Sequence, residues 1–245
     1  MFRPEFGGGT PGFYRMKKYF FIFILAGCVH VHFIHAQPTA GTTGLLNTPT
    51  AEMQRDGTFM AGTTWLPKAM MPQEWNYHTW NYYLNITFLP FLEVNYRCTL
   101  LKIQSTGKYN QDRSVSMRCR LLQEQRYVPS LVTGVNDLYT SSKNGNQYFG
   151  AAYAVTTKTG SIGRSILKLS AGYGFAAFEN SEMTGLFGGL SFSPGCLKIV
   201  EFIMEYDSKV FNPGCSVILF DHLRFMLFAY DLKYYAGGLT YKIYL

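Results

Sequence analysis

The sequence is poor in charge. Only 15% of its 245 residues are Asp, Glu, Lys or Arg, where soluble domains run near a quarter. Beyond residue 36 no long stretch carries a helical period. The apolar run at 19–26 is too short to cross a membrane as a helix. No Cys-x-x-Cys pair or Cys/His cluster with metal-ligand spacing occurs, so no metal site is expected. Glycine-rich stretches at Ala171-Gly172-Tyr173-Gly174 and Gly188-Gly189 lack the lysine and following helix of a phosphate loop. Close strand approach and bends in a barrel wall explain them. Histidine is scarce: beyond residue 36 only His78 and His222 remain. Neither has a serine in a recognisable nucleophile setting, so the chain is not expected to be an enzyme, and no cofactor is implied.

Aromatics are abundant, at 17% of residues with 18 Tyr and 20 Phe, and they fall in a pattern. Trp80, Tyr82, Leu84, Ile86 and Phe88 alternate with Asn81, Tyr83, Asn85 and Thr87. Val94, Tyr96, Cys98 and Leu100 alternate with Glu93, Asn95, Arg97 and Thr99; Val115, Met117, Cys119 and Leu121 alternate with Ser114, Ser116, Arg118 and Arg120. Successive side chains of a strand point to opposite faces, so each strand has one apolar and one polar face. In a soluble sandwich the apolar face is the core. In an outer-membrane barrel it meets lipid, and the polar face lines the lumen.

The spacing predicts twelve strands, at 58–66, 79–89, 92–102, 113–122, 130–139, 147–157, 164–175, 183–192, 197–206, 215–220, 223–230 and 237–245. The joins alternate: mostly longer and polar after odd strands (67–78, 103–112, 140–146), tighter after even ones (90–91, 193–195, 221–222). That alternation favours an all-β, antiparallel up-and-down transmembrane barrel of about 12 strands over a sandwich. The stripe Leu239, Tyr241, Ile243, Leu245 runs to the last residue, as in the terminal strand of outer-membrane barrels.

Three regions follow. Residues 1–36 read as an N-terminal extension and signal peptide, with Lys17-Lys18 before the apolar run, Ala36 before the cleavage point and Met16 as an alternative start. A lipoprotein-type cleavage box at Leu25-Ala26-Gly27-Cys28 is the rival. Residues 37–57 form a Gly/Thr/Pro/Asn-rich periplasmic lead-in closing at Asp56-Gly57, and 58–245 the barrel. Without Arg3, Arg15, Lys17, Lys18 and Glu5 the formal charge falls from +7 to +4, too weak for a nucleic-acid footprint. Cys98 and Cys119 share the apolar parity of neighbouring strands, read as two small outward hydrophobes or as a cross-strand disulfide. Strand-end Asp137, Asp207 and Asp231 read as turn residues, with a ring of carboxylates at the outer mouth as the alternative.

The segment Gly44-Leu45-Leu46-Asn47-Thr48-Pro49-Thr50-Ala51-Glu52-Met53, closing at Asp56-Gly57, resembles the opening motif of the YjbH-like family of exopolysaccharide-associated outer-membrane proteins. Similar stretches follow at Pro90-Phe91-Leu92-Glu93-Val94-Asn95-Tyr96-Arg97, Asp112-Arg113-Ser114, Tyr127-Val128-Pro129, Gly134-Val135-Asn136-Asp137 and Glu205-Tyr206-Asp207. Glu52 stands where a basic residue is expected. The resemblance implies an outer-membrane barrel linked to production or export of an extracellular polysaccharide, with outer-membrane lipid, the glycan and export-machinery proteins as partners. It carries over no catalytic residue. The candidate glycan-contacting residues of the lumen are Glu93, Arg97, Arg118, Arg120, Glu201 and Glu205, and the outer-rim aromatics are Trp65, Trp75 and Trp80. A structural charge network plugging a narrow lumen is the plainer reading of the first set. A structural or adhesive barrel binding a partner protein through its outer loops is the alternative function, and a barrel hydrolase a third.

Overall fold

The computed structural model describes residues 39–72, 75–102, 107–141, 149–177 and 183–245; the targeting segment expected at 1–36 lies outside them. Twelve strands follow one another: β1 (Thr58–Leu66), β2 (Thr79–Phe88), β3 (Leu92–Lys102), β4 (Tyr109–Leu122), β5 (Ser130–Thr140), β6 (Ala151–Ile162), β7 (Ser165–Phe175), β8 (Gly185–Ser193), β9 (Val200–Tyr206), β10 (Phe211–Leu219), β11 (Leu223–Tyr230) and β12 (Tyr234–Tyr244). Each pairs antiparallel with its sequence neighbours, and β1 pairs with β12 to close the barrel. The pairing runs from Thr58 opposite Tyr244 to Trp65 opposite Gly237. One short 3-10 turn, Lys68–Met70, interrupts the first long loop.

The alternation read from the sequence maps onto two faces of the wall. In β2, Asn81, Tyr83, Asn85 and Thr87 point inward and are buried, while Trp80, Tyr82, Leu84 and Phe88 point outward and are 39–59% exposed. The same holds around the ring, where Glu93, Arg97, Arg118, Lys168, Glu201, Glu205 and Arg224 are all buried. A soluble sandwich would place the opposite set inside.

Some strand bounds differ from the sequence reading. β10 begins at Phe211 rather than at 215, so Pro213-Gly214 is part of the wall. A Pro-Gly pair reads as a turn. Here the glycine meets a packing demand, because a Cβ at Gly214 would lie 2.5 Å from Phe228 Cβ. β12 begins at Tyr234 and β6 runs on to Ile162. Cys98 is opposite Arg113 and Cys119 opposite Leu92. That separates the two by six positions along the pair, roughly 20 Å at the rise of a strand, and both are free thiols.

Three inward aromatics each lie on a glycine directly opposite. Tyr83 faces Gly62, Tyr153 faces Gly134 and Phe187 faces Gly172. A Cβ would come within 2.3 Å of Tyr83 Cζ at Gly62, 2.5 Å of the Tyr153 hydroxyl at Gly134 and 2.3 Å of Phe187 Cζ at Gly172. Each ring covers the backbone that the missing side chain leaves bare. At Gly172 the added carbon also meets the Ala154 carbonyl oxygen at 2.8 Å, so neither neighbour gives way freely. Gly172→Ala should therefore destabilise the barrel by about 1–3 kcal/mol, the usual cost of overpacking, read as a lower urea midpoint for loss of the folded form.

Candidate functional site

The lumen holds the chain's own N-terminal segment. Residues 39–54 are almost entirely buried and lie within the ring of strands. They form a tight hairpin, with a bridge between Gly44 and Pro49 and the Leu45 amide donating to the Thr48 carbonyl at 2.8 Å. The glycine, threonine and proline content suits such a compact non-strand fold. The segment is bound to the wall strand by strand.

On one side, three asparagines donate to three successive carbonyls: Asn81 to Thr39 at 3.3 Å, Asn95 to Ala40 at 2.9 Å and Asn85 to Gly41 at 3.0 Å. Glu93 accepts from the Thr43 amide and hydroxyl, each at 2.8 Å, and from Asn85 Nδ2 at 2.8 Å. Arg118 donates to the carbonyls of Thr43, Thr50 and Glu52. Across the lumen, the Glu205 carboxylate accepts from the successive amides of Leu46, Asn47 and Thr48 at 2.9 Å and from the Thr48 hydroxyl at 2.9 Å. Leu45 and Leu46 seat on the bare backbone of Gly189 and Gly214, where a Cβ would lie 2.8 and 2.9 Å from their methyl groups. Below, Ala51 donates to Thr157 Oγ1 at 2.8 Å, and Lys242 Nζ to Gln54 Oε1 at 3.2 Å. The plug thus contacts β2, β3, β4, β6, β8, β9, β10 and β12.

Charges that do not hold the plug directly are paired. Arg97 meets Asp137 at 2.6 and 2.7 Å with both side chains fully buried, and the Phe149 ring lies 4.2 Å from the guanidinium. Arg224 meets Glu201 at 2.9 Å and Ser216 Oγ at 2.6 Å. Lys168 of β7 does reach the plug, bridging its Glu52 at 2.7 Å to the wall's Glu201 at 4.0 Å. The acidic residue at position 52, where the resemblance leads one to expect a base, is the counterion of a wall lysine.

Five of the six lumen candidates are therefore buried and partnered inside the barrel: Glu93, Arg118 and Glu205 on the plug, Glu201 on Arg224 and Lys168, and Arg97 in a separate pair with Asp137. Arg120 stands apart, half-buried beyond a register shift between Arg120 and Leu122, and among the described residues its side chain makes no ion pair. Of the rim aromatics, Trp65 and Trp80 face outward as register partners. Trp75 turns inward, partly buried on the cluster of Leu46, Leu66, Met70 and Phe228. The strand-end aspartates form no free ring. Asp137 pairs with Arg97, Asp207 accepts from Asn212 Nδ2 at 2.9 Å and the Val210 amide at 3.0 Å, and Asp231 pairs with Lys233. Asp137 and Asp231 have φ of 52° and 50°, the left-handed turn conformation that aspartate tolerates.

Sequence reasoning missed Arg224 and Lys242, though the parity of β11 and β12 marks both as inward. It also missed the plug itself. No periodic signal distinguishes a segment that lies inside a barrel from one that hangs outside it.

No curated protein matches the chain. Residues 36–187 match the family described as exopolysaccharide biosynthesis protein YbjH (YjbH). That match spans the plug and the wall from β1 into β8, including Glu93, Arg97, Arg118, Asp137 and Lys168. A closed barrel with a pinned internal segment, matched over well more than half its length, belongs to the YjbH exopolysaccharide biosynthesis family.

Proposed function

We propose that the chain is a non-enzymatic outer-membrane barrel that supports production or export of an exopolysaccharide and rests in a plugged state. The observation that carries this reading is the inversion of the wall: aromatic and aliphatic side chains outward around a closed barrel, charges and amides inward. Such a surface suits a hydrocarbon surround. The longer loops, such as residues 67–78, would face the cell exterior, and both ends of the barrel sequence return to the short-turn end, where the Leu245 amide donates to the Gly57 carbonyl at 2.9 Å.

Among the described residues, the two histidines and the lumen carboxylates named above have partners, which favours the non-enzymatic reading. His222 Nδ1 lies 2.8 Å from the Lys242 carbonyl, and His78 stacks on Trp65. Glu93 and Glu205 hold the plug, and Glu201 holds Arg224 and Lys168. Passage of a glycan through the lumen requires the plug to leave. In the resting state the glycan and export-machinery proteins would meet the barrel at the long-loop mouth.

Membrane fractionation combined with heat-modifiable gel migration tests the placement. An outer-membrane band that shifts on boiling supports it, and a soluble periplasmic protein without the shift overturns it. The lumen role has its own test. Arg118→Ala should change surface polysaccharide because it releases three plug carbonyls, whereas Arg120→Ala should not. Unchanged polysaccharide with normal barrel levels in both variants would remove the plug contacts from the mechanism.

The filled lumen favours one second reading, an adhesive or structural barrel that binds a partner protein through its outer loops. Deleting residues 72–77 would then abolish partner binding and leave glycan export intact.

A further inference from the structure

The outer wall carries a trough at the seam where the barrel closes. It lies near the long-loop end between β1, β2, β11 and β12, and holds about 400 Å³, within the roughly 300–1,000 Å³ of ligand pockets. Trp65, Trp80, Leu227, Tyr235 and Leu239 wall it. Its depth comes from Gly237, which points outward opposite both Trp65 and Leu227. Trp65, Leu227, Tyr235 and Leu239 around it project large side chains, so the glycine leaves a slot between them.

Two lysines lie on the connections at the upper end of these strands. Lys68 lies three residues beyond Trp65 on the loop leaving β1, and Lys233 four residues before Gly237 on the turn entering β12. Both are exposed, as is His78, which stacks on Trp65 at 5.3 Å and accepts from the Lys68 amide at 3.3 Å. Asp231 pairs with Lys233 at 2.7 Å. An apolar slot beside two tryptophans, with an exposed lysine on each of the two connections above it, suits an amphiphile with its chain below and an anionic head above.

We propose that the trough seats one acyl chain of a phosphorylated glycolipid in the outward leaflet, with its phosphates held by Lys68 and Lys233. This site rests on the outer-membrane reading. The leaflet at the long-loop end is the outward one, which is built of such glycolipids. Two cations on separate loops match a headgroup bearing two phosphates better than a phospholipid bearing one.

Tryptophan fluorescence reads the site directly, because two of the chain's three tryptophans wall it and Trp75→Phe removes the third. The Trp75→Phe protein is folded into vesicles of brominated phosphatidylcholine, which quench Trp65 and Trp80. Unbrominated diphosphoryl lipid A should relieve most of that quenching at a few mole per cent. Phosphatidylglycerol of equal charge should relieve little, and Lys68→Glu/Lys233→Glu should abolish the relief. Equal relief by both lipids, no relief, or relief unchanged in the double variant overturns the site. A protein that does not fold into vesicles at all overturns the membrane reading instead.

Discussion

Deletion of residues 40–50 will turn a closed barrel into a conducting one. Barrels of about eight strands are filled by their own side chains, whereas those of sixteen to eighteen hold a water channel. Twelve strands lie between, and here the difference is filled by the hairpin. Removing it leaves Asn85, Asn95, Glu93, Arg118 and Glu205 facing a space that water can enter. These groups lose protein partners but gain solvent, so the deletion escapes the penalty of a dry unpaired charge. The wall keeps its complete ladder of strand pairs. Planar-bilayer recordings should show near-baseline current for the intact protein and a rise of an order of magnitude or more for the deletion. An unchanged current would mean that inward wall side chains close the lumen by themselves. Glu205→Ala is the milder form. It strips the amides of Leu46, Asn47 and Thr48 of their shared acceptor, each unmet buried group costing about 1–3 kcal/mol, and should give brief openings rather than a steady pore.

Asp137→Ala is expected to be the most destabilising single substitution in the wall. It leaves Arg97 fully buried, with Phe149 over its face and no counterion, a situation that costs about 3–5 kcal/mol. The double variant Arg97→Met/Asp137→Leu should recover most of that loss, because apolar residues of similar volume do not carry a stranded charge. The measurement is the urea midpoint of the heat-shifted band, compared across the unsubstituted protein, Asp137→Ala and the double variant. A double variant as unstable as Asp137→Ala would show that packing around Phe149, not the charge, sets the effect. The Asp231–Lys233 pair is the control, since both side chains reach solvent and Lys233→Ala should leave the midpoint where it is.

The wall was legible in the sequence because a strand exposes its environment every second residue. Asn85 and Leu84 lie side by side in the chain and on opposite faces in space, and that contrast distinguishes strand from loop, while the alternating lengths of the joins point to the barrel. Long-range placement was not legible. Glu205 and Asn47 are far apart in sequence, and nothing local to either announces that one carboxylate will collect the amides of a distant turn. Trp75 shows the same limit. Its aromatic character suits an outer rim as well as a lid, and the decision rests with a loop whose path no period encodes. The resemblance did reach the plug, since its best motif runs from Gly44 to Met53, but as a pattern of letters without a location.

The glycine–aromatic pairs bear on how such a wall finds its alignment. A strand that slips by one residue turns its faces over, and a slip by two keeps the faces but moves every neighbour. Tyr83, Tyr153 and Phe187 act as index marks against the second kind of error. A two-residue slip would drive Tyr83 toward Met60 or Thr64 in place of Gly62, and the ring would strike a side chain. All three marks lie between strands adjacent in sequence, β1–β2, β5–β6 and β7–β8, so each is set within a single hairpin. The seam between β1 and β12 joins the two ends of the barrel sequence, and eleven hairpin registers around the ring leave its own alignment little to choose.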